Sequence, residues 1–68
     1  MKLEYDKEVD AAYIYIKYPI KDGECAKTIE LNDNIFIDYS KDGRLLGVEI
    51  LNAKKILGKK VIETAVPA

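Results

Sequence analysis

The sequence predicts a small α+β domain that is mostly β, and two observations carry this prediction. Apolar residues recur at every second position through most of the chain, which is the spacing of half-buried strands. Short clusters of Asn, Asp, Gly and Pro separate these stretches, as turns do in an antiparallel sheet. We therefore expect one domain over residues 1–68, built as an antiparallel meander of about five strands with a short C-terminal helix.

The first two strands are predicted at residues 2–6 and 11–17. The second alternates small and branched aliphatic residues with Tyr13 and Tyr15, and β-branched and aromatic side chains favour a pleated surface. We expect it to end before Pro19, because proline cannot donate to a central ladder.

Three further strands are predicted at residues 26–31, 35–40 and 44–51. The first two of these flank Asn32-Asp33-Asn34, whose residue types tolerate the left-handed backbone of tight turns. The last two flank Asp42-Gly43, a strong hairpin signal.

A helix is predicted only at residues 53–57. Asn52 has the side chain of an N-cap, and Gly58 is a typical C-terminal stop. The tail, residues 59–68, combines helical spacing with β-branched residues, so its structure stays open.

Both faces of the predicted sheet are apolar. One has the pattern of an ordinary core face, comprising Ala12, Ile14, Ile16, Ile35, Ile37, Leu46, Val48 and Ile50. The other carries Asp38 and Glu49, which we expect to face each other across the ladder, together with Tyr13, Tyr15, Phe36, Leu45 and Leu51. That face is too apolar for plain exposure to water.

A five-residue helix is only about 7.5 Å long and covers little of such a sheet. The sequence therefore predicts that one face meets the C-terminal segment and that the other meets a second copy of the chain. The five apolar and aromatic residues of that second face are the interface candidates. The alternative is a curled sheet with both faces internal.

Composition narrows the function classes. A 68-residue chain forms a marginal core, and a single Cys25 cannot make an internal disulfide, which also favours self-association. Eleven basic and twelve acidic residues give a net charge of −1, so nucleic acid is not an expected partner. No apolar run suits a membrane span or an export signal, and we expect a cytoplasmic protein.

Residues 38–49 also fit the calcium-loop template. Asp38, Ser40 and Asp42 take alternate positions, Gly43 takes the sharp turn and Glu49 closes the loop. However, β-formers precede the loop where a helix is needed, and no second loop follows the template. The sequence thus favours a hairpin, with Asp38, Asp42 and Glu49 kept as a minor metal-binding hypothesis.

Other chemistry has little support. The acidic run of Asp6, Glu8 and Asp10 surrounds Lys7, which is typical of a solvated turn. Cys25 has no histidine partner in a chain without histidine, so no catalytic thiol is expected. The isolated glycines form no phosphate loop, and no cofactor or catalytic residue is predicted.

Two blocks of the sequence resemble a family of small prokaryotic proteins catalogued as domain of unknown function 2283. The first block contains Tyr5, Asp6, Glu8, Asp10, Ala11, Tyr13 and Ile14; the second contains Asp42, Gly43, Arg44, Leu45, Gly47, Glu49, Ile50, Leu51 and Ala53. The resemblance covers about residues 3–57, and Ala12 departs from it where a larger aliphatic residue is expected.

This resemblance implies a compact, mostly β cytoplasmic domain, with no established activity and no catalytic residues to carry over. Genes of such proteins often lie in arrangements like those of toxin–antitoxin modules, which suggests a protein-binding role. The leading hypothesis is therefore a non-enzymatic, homo-oligomeric module that binds a small protein, in the manner of an antitoxin. The alternative is a metal- or ligand-binding module that uses residues 38–49.

Overall fold

A computed structural model describes all 68 residues, and it confirms an α+β fold that is mostly β. Neither helix has the length and apolar composition that crossing a membrane requires. The elements in chain order are β1 (Lys2–Asp6), β2 (Ala11–Tyr15), β3 (Cys25–Asn32), β4 (Ile35–Ser40), β5 (Leu45–Leu51), α1 (Ala53–Leu57), α2 (Lys59–Glu63) and β6 (Val66–Pro67).

All strands form one sheet in the order β3-β4-β5-β2-β1-β6. Neighbours are antiparallel, except that β6 runs parallel to β1. The predicted antiparallel meander is therefore wrong at one connection, because β2 pairs with β5 and not with β3. The physical reason is that β2 is apolar on both faces and gains from a central position. The polar strand β3 is exposed throughout its length and suits an edge.

The tail, which the sequence left open, forms α2 and then β6. The element ends at Pro67, on the outer edge of the sheet, where the lack of an N–H costs no ladder bond. The backbone of Ala68 donates to the carbonyl of Tyr5 at 3.1 Å, which ties the C-terminus to β1.

Strand register defines two faces of the sheet. The helix face is the one on which α1 and α2 lie. An aliphatic row crosses it over five strands, through Ile29, Ile37, Val48, Ile14 and Leu3. A second row runs beside it through Ile35, Ile50, Ala12 and Tyr5.

The helices cover only one half of this face. The buried cluster of Ala12, Ile50 and Ala53 is completed by Leu57 and Ile62 from the helices. The other members come from β1, β2 and β5, and no residue of β3 or β4 belongs to the cluster. The prediction that the C-terminal segment covers one face therefore holds for half of that face.

The start of α1 corrects the predicted N-cap. Asn52 adopts a left-handed backbone, with φ of 52°, and makes no capping bond; its side chain instead donates to Asn34 at 2.8 Å. The cap comes from Asp10, whose backbone carbonyl accepts from Ala53 at 3.0 Å. Its carboxylate accepts from the backbone of Lys54 at 3.1 Å. Long-range contact thus replaces the local cap. At the other end, Gly58 stops the helix as predicted, with φ of 87°.

A bulge shortens β2 and shifts β5. The backbone N–H groups of Ile16 and Lys17 both donate to the carbonyl of Leu46, at 2.9 and 3.0 Å, so the regular ladder ends before the predicted residue 17. Asp38 pairs with Gly47, and the next pair is Tyr39 with Leu45. Side chains alternate along β4, so this register places Leu45 on the helix face, not on the opposite face with Tyr13. The remaining strand ends differ from prediction by one residue at most.

Candidate functional site

The sheet surface opposite the helices, here called the tyrosine face, carries rows of aromatic and carboxylate side chains. One cross-strand row alternates carboxylates with aromatic rings: Glu30, Phe36, Glu49, Tyr13 and Glu4. The neighbouring row consists of Thr28, Asp38, Gly47, Tyr15 and Lys2. Leu51, the last interface candidate, pairs with Ala11 beside the first row. Neither helix covers these rows, since α1 and α2 pack on the opposite face.

Gly47 makes room for the ring of Tyr13. A Cβ atom added at Gly47 would overlap the ring, lying 2.6 Å from its Cζ. Because no side chain is present there, Tyr13 reaches across β5 and donates its hydroxyl to Asp38 at 2.6 Å. Thr28 donates to the other oxygen of the same carboxylate, also at 2.6 Å. Burial, together with this bond to Asp38, raises the pKa of Tyr13.

Tyr15 continues the aromatic surface away from Tyr13. Its ring centroid lies 4.7 Å from that of Tyr13 and 5.0 Å from that of Tyr18, in tilted and edge-on contacts. Its hydroxyl donates to Glu4 at 3.1 Å, and burial followed by this bond raises the pKa of Tyr15. The ammonium of Lys2 lies 3.8 Å from the centroid of Tyr18 and 3.2 Å from Glu4.

A shallow depression of about 250 Å³ lies beside the ring of Tyr13. Its wall combines the aromatic ring of Tyr13 with the carboxylates of Glu4, Asp6 and Glu49. Across the two rows, four carboxylates accompany one ammonium group, that of Lys2. The surface is therefore both aromatic and acidic, which suits contact with cationic side chains.

The hydrogen bonds of this face determine whether its tyrosine hydroxyls are suited to acid–base catalysis. The two central hydroxyls, on Tyr13 and Tyr15, already donate to carboxylates of the same chain. Their pKa values are raised, whereas a phenol that acts as an acid or base near neutral pH needs a lowered pKa. The face therefore presents aromatic surface and negative charge, and neither the Tyr13 nor the Tyr15 hydroxyl is activated as an acid or base.

The three carboxylates of the metal-binding hypothesis, on Asp38, Asp42 and Glu49, do not converge on one point. Asp38, on β4, accepts hydrogen bonds from the hydroxyls of Tyr13 and Thr28. Asp42 lies in the β4–β5 turn, where it accepts from Ser40 and lies 3.2 Å from the guanidinium of Arg44. Glu49 pairs with Phe36 and Tyr13. Asp38 pairs with Gly47, so the expectation that Asp38 and Glu49 face each other is wrong; they are diagonal neighbours. No group of three acidic or sulfur side chains lies close enough to hold a metal ion.

The other polar candidates serve local structure. Asp6 accepts the backbone N–H of Glu8 at 3.0 Å within the β1–β2 turn. Asp10 accepts from Tyr5 at 2.8 Å and caps α1, as described above. Cys25 is exposed at the start of β3, where its sulfur lies 3.7 Å from the hydroxyl of Thr28.

The sequence predicts the rings of this face together with Asp38 and Glu49, but not the roles of Gly47, Glu4 and Lys2. The sequence presents Gly47 only as an isolated glycine, whereas its position opposite Tyr15 leaves room for the Tyr13 ring. For Glu4 and Lys2 the sequence predicts only membership of a short first strand. The available signal was their alternation with Leu3 and Tyr5, which puts both on the face opposite the core.

Comparisons with known proteins give a family and no activity. Residues 2–54 match the sequence pattern of a family described as "Protein of unknown function (DUF2283)". The chain is 40% identical over 57 residues to "Uncharacterized protein MJ0789" of Methanocaldococcus jannaschii, covering 82% of this chain and 44% of that protein. The chain therefore spans less than half the length of this curated relative. No solved structure matches the chain.

Proposed function

Since the chain belongs to the DUF2283 family of proteins of unknown function, its role has to be inferred from its surfaces, and we propose a non-enzymatic, homo-oligomeric protein-binding module. The tyrosine face is the surface proposed to bind another protein. The observation that carries this proposal is the row of alternating carboxylates and aromatic rings that neither helix covers.

Aromatic residues support a binding role because they supply a large contact area at a small cost in side-chain entropy. Tyr13 and Tyr15 are held in place by their bonds to Asp38 and Glu4, and their rings touch each other. Little freedom remains for a partner to remove on binding, which favours affinity.

Charge defines the partner's chemistry. With carboxylates outnumbering ammonium groups across both rows, nucleic acid is disfavoured on this face. A protein surface that presents arginine or lysine can pair with the carboxylates and contact the aromatic rings of this face. Guanidinium is the best match, since it stacks on aromatic rings and pairs with carboxylates.

We also propose an antitoxin-like role, which the resemblance supports by association. Genes of proteins that this sequence resembles often lie in arrangements like those of toxin–antitoxin modules. A small protein with a basic surface is the partner that this association and the acidic face support together.

The proposal is tested by affinity capture of binding proteins from cells, using the wild-type chain and the variants Tyr15→Ala and Phe36→Ala as bait. We expect a basic protein to bind the wild type, with at least tenfold weaker binding to each variant. Because Lys55 lies on the exposed side of α1, Lys55→Ala is the matched control and keeps full binding. Raising the salt concentration also weakens capture, since the contact is partly electrostatic.

Equal capture by wild type, Tyr15→Ala and Phe36→Ala contradicts the assignment of the tyrosine face. Loss of capture with Lys55→Ala and not with the other two moves the binding surface to the helices.

A further inference from the structure

One half of the helix face remains bare, and it differs chemically from the tyrosine face. The aliphatic row that crosses the core continues beyond it through Ile37 on β4 and Ile29 on β3, neither of which belongs to the buried cluster. Ile29 is 38% exposed and Leu45 is 46% exposed, and their neighbours Ile37 and Tyr39 are half-buried. We call the surface formed by Ile29, Ile37, Tyr39 and Leu45 the bare half.

Charge distinguishes the two uncovered surfaces as sites for a second copy. By register, Lys27, which pairs with Tyr39, is the only charged residue on the helix face of β3, β4 and β5. Two bare halves in contact therefore bring together only one strand lysine from each copy. Two tyrosine faces in contact would bring together four carboxylates from each copy, which is unfavourable.

Layer thickness also fits a second copy. Facing sheets pack about 10 Å apart, and a helix with its side chains is about 10 Å across. A second sheet packed on the bare half would face the first sheet. The space between the two sheets would then be as thick as the layer that α1 and α2 form on the other half. A two-fold axis parallel to the strands then places each copy's helices beside the partner's β3 edge.

We propose that two copies of the chain pack bare half against bare half, about such an axis, into a two-layer sandwich. The interface is isologous, since the same patch is used by both copies, so the assembly closes as a dimer. This inference rests on the homo-oligomeric part of the proposed function, and it names the surface that self-associates. The tyrosine faces then lie on the two outer surfaces, free for the protein partner.

Sedimentation velocity of wild type, Ile29→Lys, Leu45→Lys and Glu30→Lys tests the inference. Ile29 and Glu30 are adjacent on the exposed strand β3 and lie on opposite faces, so the same lysine is introduced on either side of one strand. We expect the wild type and Glu30→Lys to sediment as dimers. Ile29→Lys and Leu45→Lys are expected to sediment as monomers, at least tenfold weaker in self-association, with unchanged far-UV circular dichroism.

Each other outcome overturns the inference in a distinct way. A dimer that persists in both Ile29→Lys and Leu45→Lys, or one that Glu30→Lys dissociates, places self-association on another surface and leaves the proposed homo-oligomer standing. A wild-type chain that remains a monomer at millimolar concentration overturns the homo-oligomer as well. Since two variants test the same patch, misfolding of one leaves the other decisive.

Discussion

At the scale of single residues, Gly47 and Tyr13 determine the shape of the tyrosine face. The glycine has no side chain, the ring fills the space, and the hydroxyl reaches a carboxylate two strands away from its own strand. An aromatic ring packed over a strand glycine protects the backbone and anchors the ring at once. Both functions depend on the absence of one methyl group.

Replacing Gly47 by alanine is expected to destabilise the fold by about 1–3 kcal/mol, because the new Cβ displaces the Tyr13 ring and its bond to Asp38. Urea unfolding measures the change. In a Tyr13→Ala background the same substitution should cost much less, since nothing is left to displace. An equal loss of stability in the Tyr13→Ala background would show that the Tyr13 ring does not cause the destabilisation.

The raised pKa of Tyr13 makes stability depend on alkaline pH. A group whose pKa is higher in the folded state than in the unfolded state stabilises the fold below its unfolded pKa, about 10 for tyrosine. That contribution is lost as the pH rises through the folded pKa. Tyr13→Phe is therefore expected to be less stable than wild type at pH 7, by about 1 kcal/mol for the lost bond.

The difference in free energy of unfolding between Tyr13→Phe and wild type should narrow as the pH rises above 10. Urea midpoints measured at pH 7, 9, 10 and 11 follow it. Tyr5 and Tyr15, whose pKa values are also raised, contribute equally to both proteins and cancel in the difference. A constant gap over this range would contradict the assigned cause.

At the scale of elements, the sequence predicted the strands and α1 well but not their neighbours. Alternation identifies which residues share a face, and turn residues mark where strands end. Neither signal states that β2 lies against β5, because that pairing joins residues far apart in sequence. The relevant hint was that β2 is apolar on both faces, which favours a central strand. The cap of α1 shows the same limit, since Asp10 lies 44 residues from Lys54.

Asp10 links β1 to α1, so its replacement is expected to affect the attachment of α1 more than that of any strand. It adopts φ of 53°, accepts the hydroxyl of Tyr5 and caps α1. Asp10→Ala removes both side-chain bonds and strains the backbone, with an expected loss of about 1–2 kcal/mol. Asp10→Asn keeps an acceptor and tolerates the left-handed backbone, so thermal unfolding should place it between alanine and wild type. Equal loss in both variants would contradict the capping role.

At the scale of the whole molecule, folding separates charges that the sequence intersperses. A net charge of −1 conveys nothing of this separation. The carboxylates of four strands gather on the tyrosine face, while the lysines of the helices lie exposed on the other side: Lys54, Lys55, Lys59 and Lys60. The sequence predicted that an apolar face would need a partner. It could not predict that α1 and α2 leave half of their own face bare, because that depends on where β3 and β4 lie.

The two uncovered surfaces can be distinguished in one experiment, by methyl NMR spectra of the isoleucine- and leucine-labelled chain over a dilution series. The methyl signals of Ile29, Ile37 and Leu45 are predicted to shift with concentration as the dimer dissociates. The methyl signals of Leu51, on the tyrosine face, are predicted to stay fixed. Spectra that do not change with concentration, or shifts at Leu51 in place of those at the bare half, would contradict self-association through the bare half.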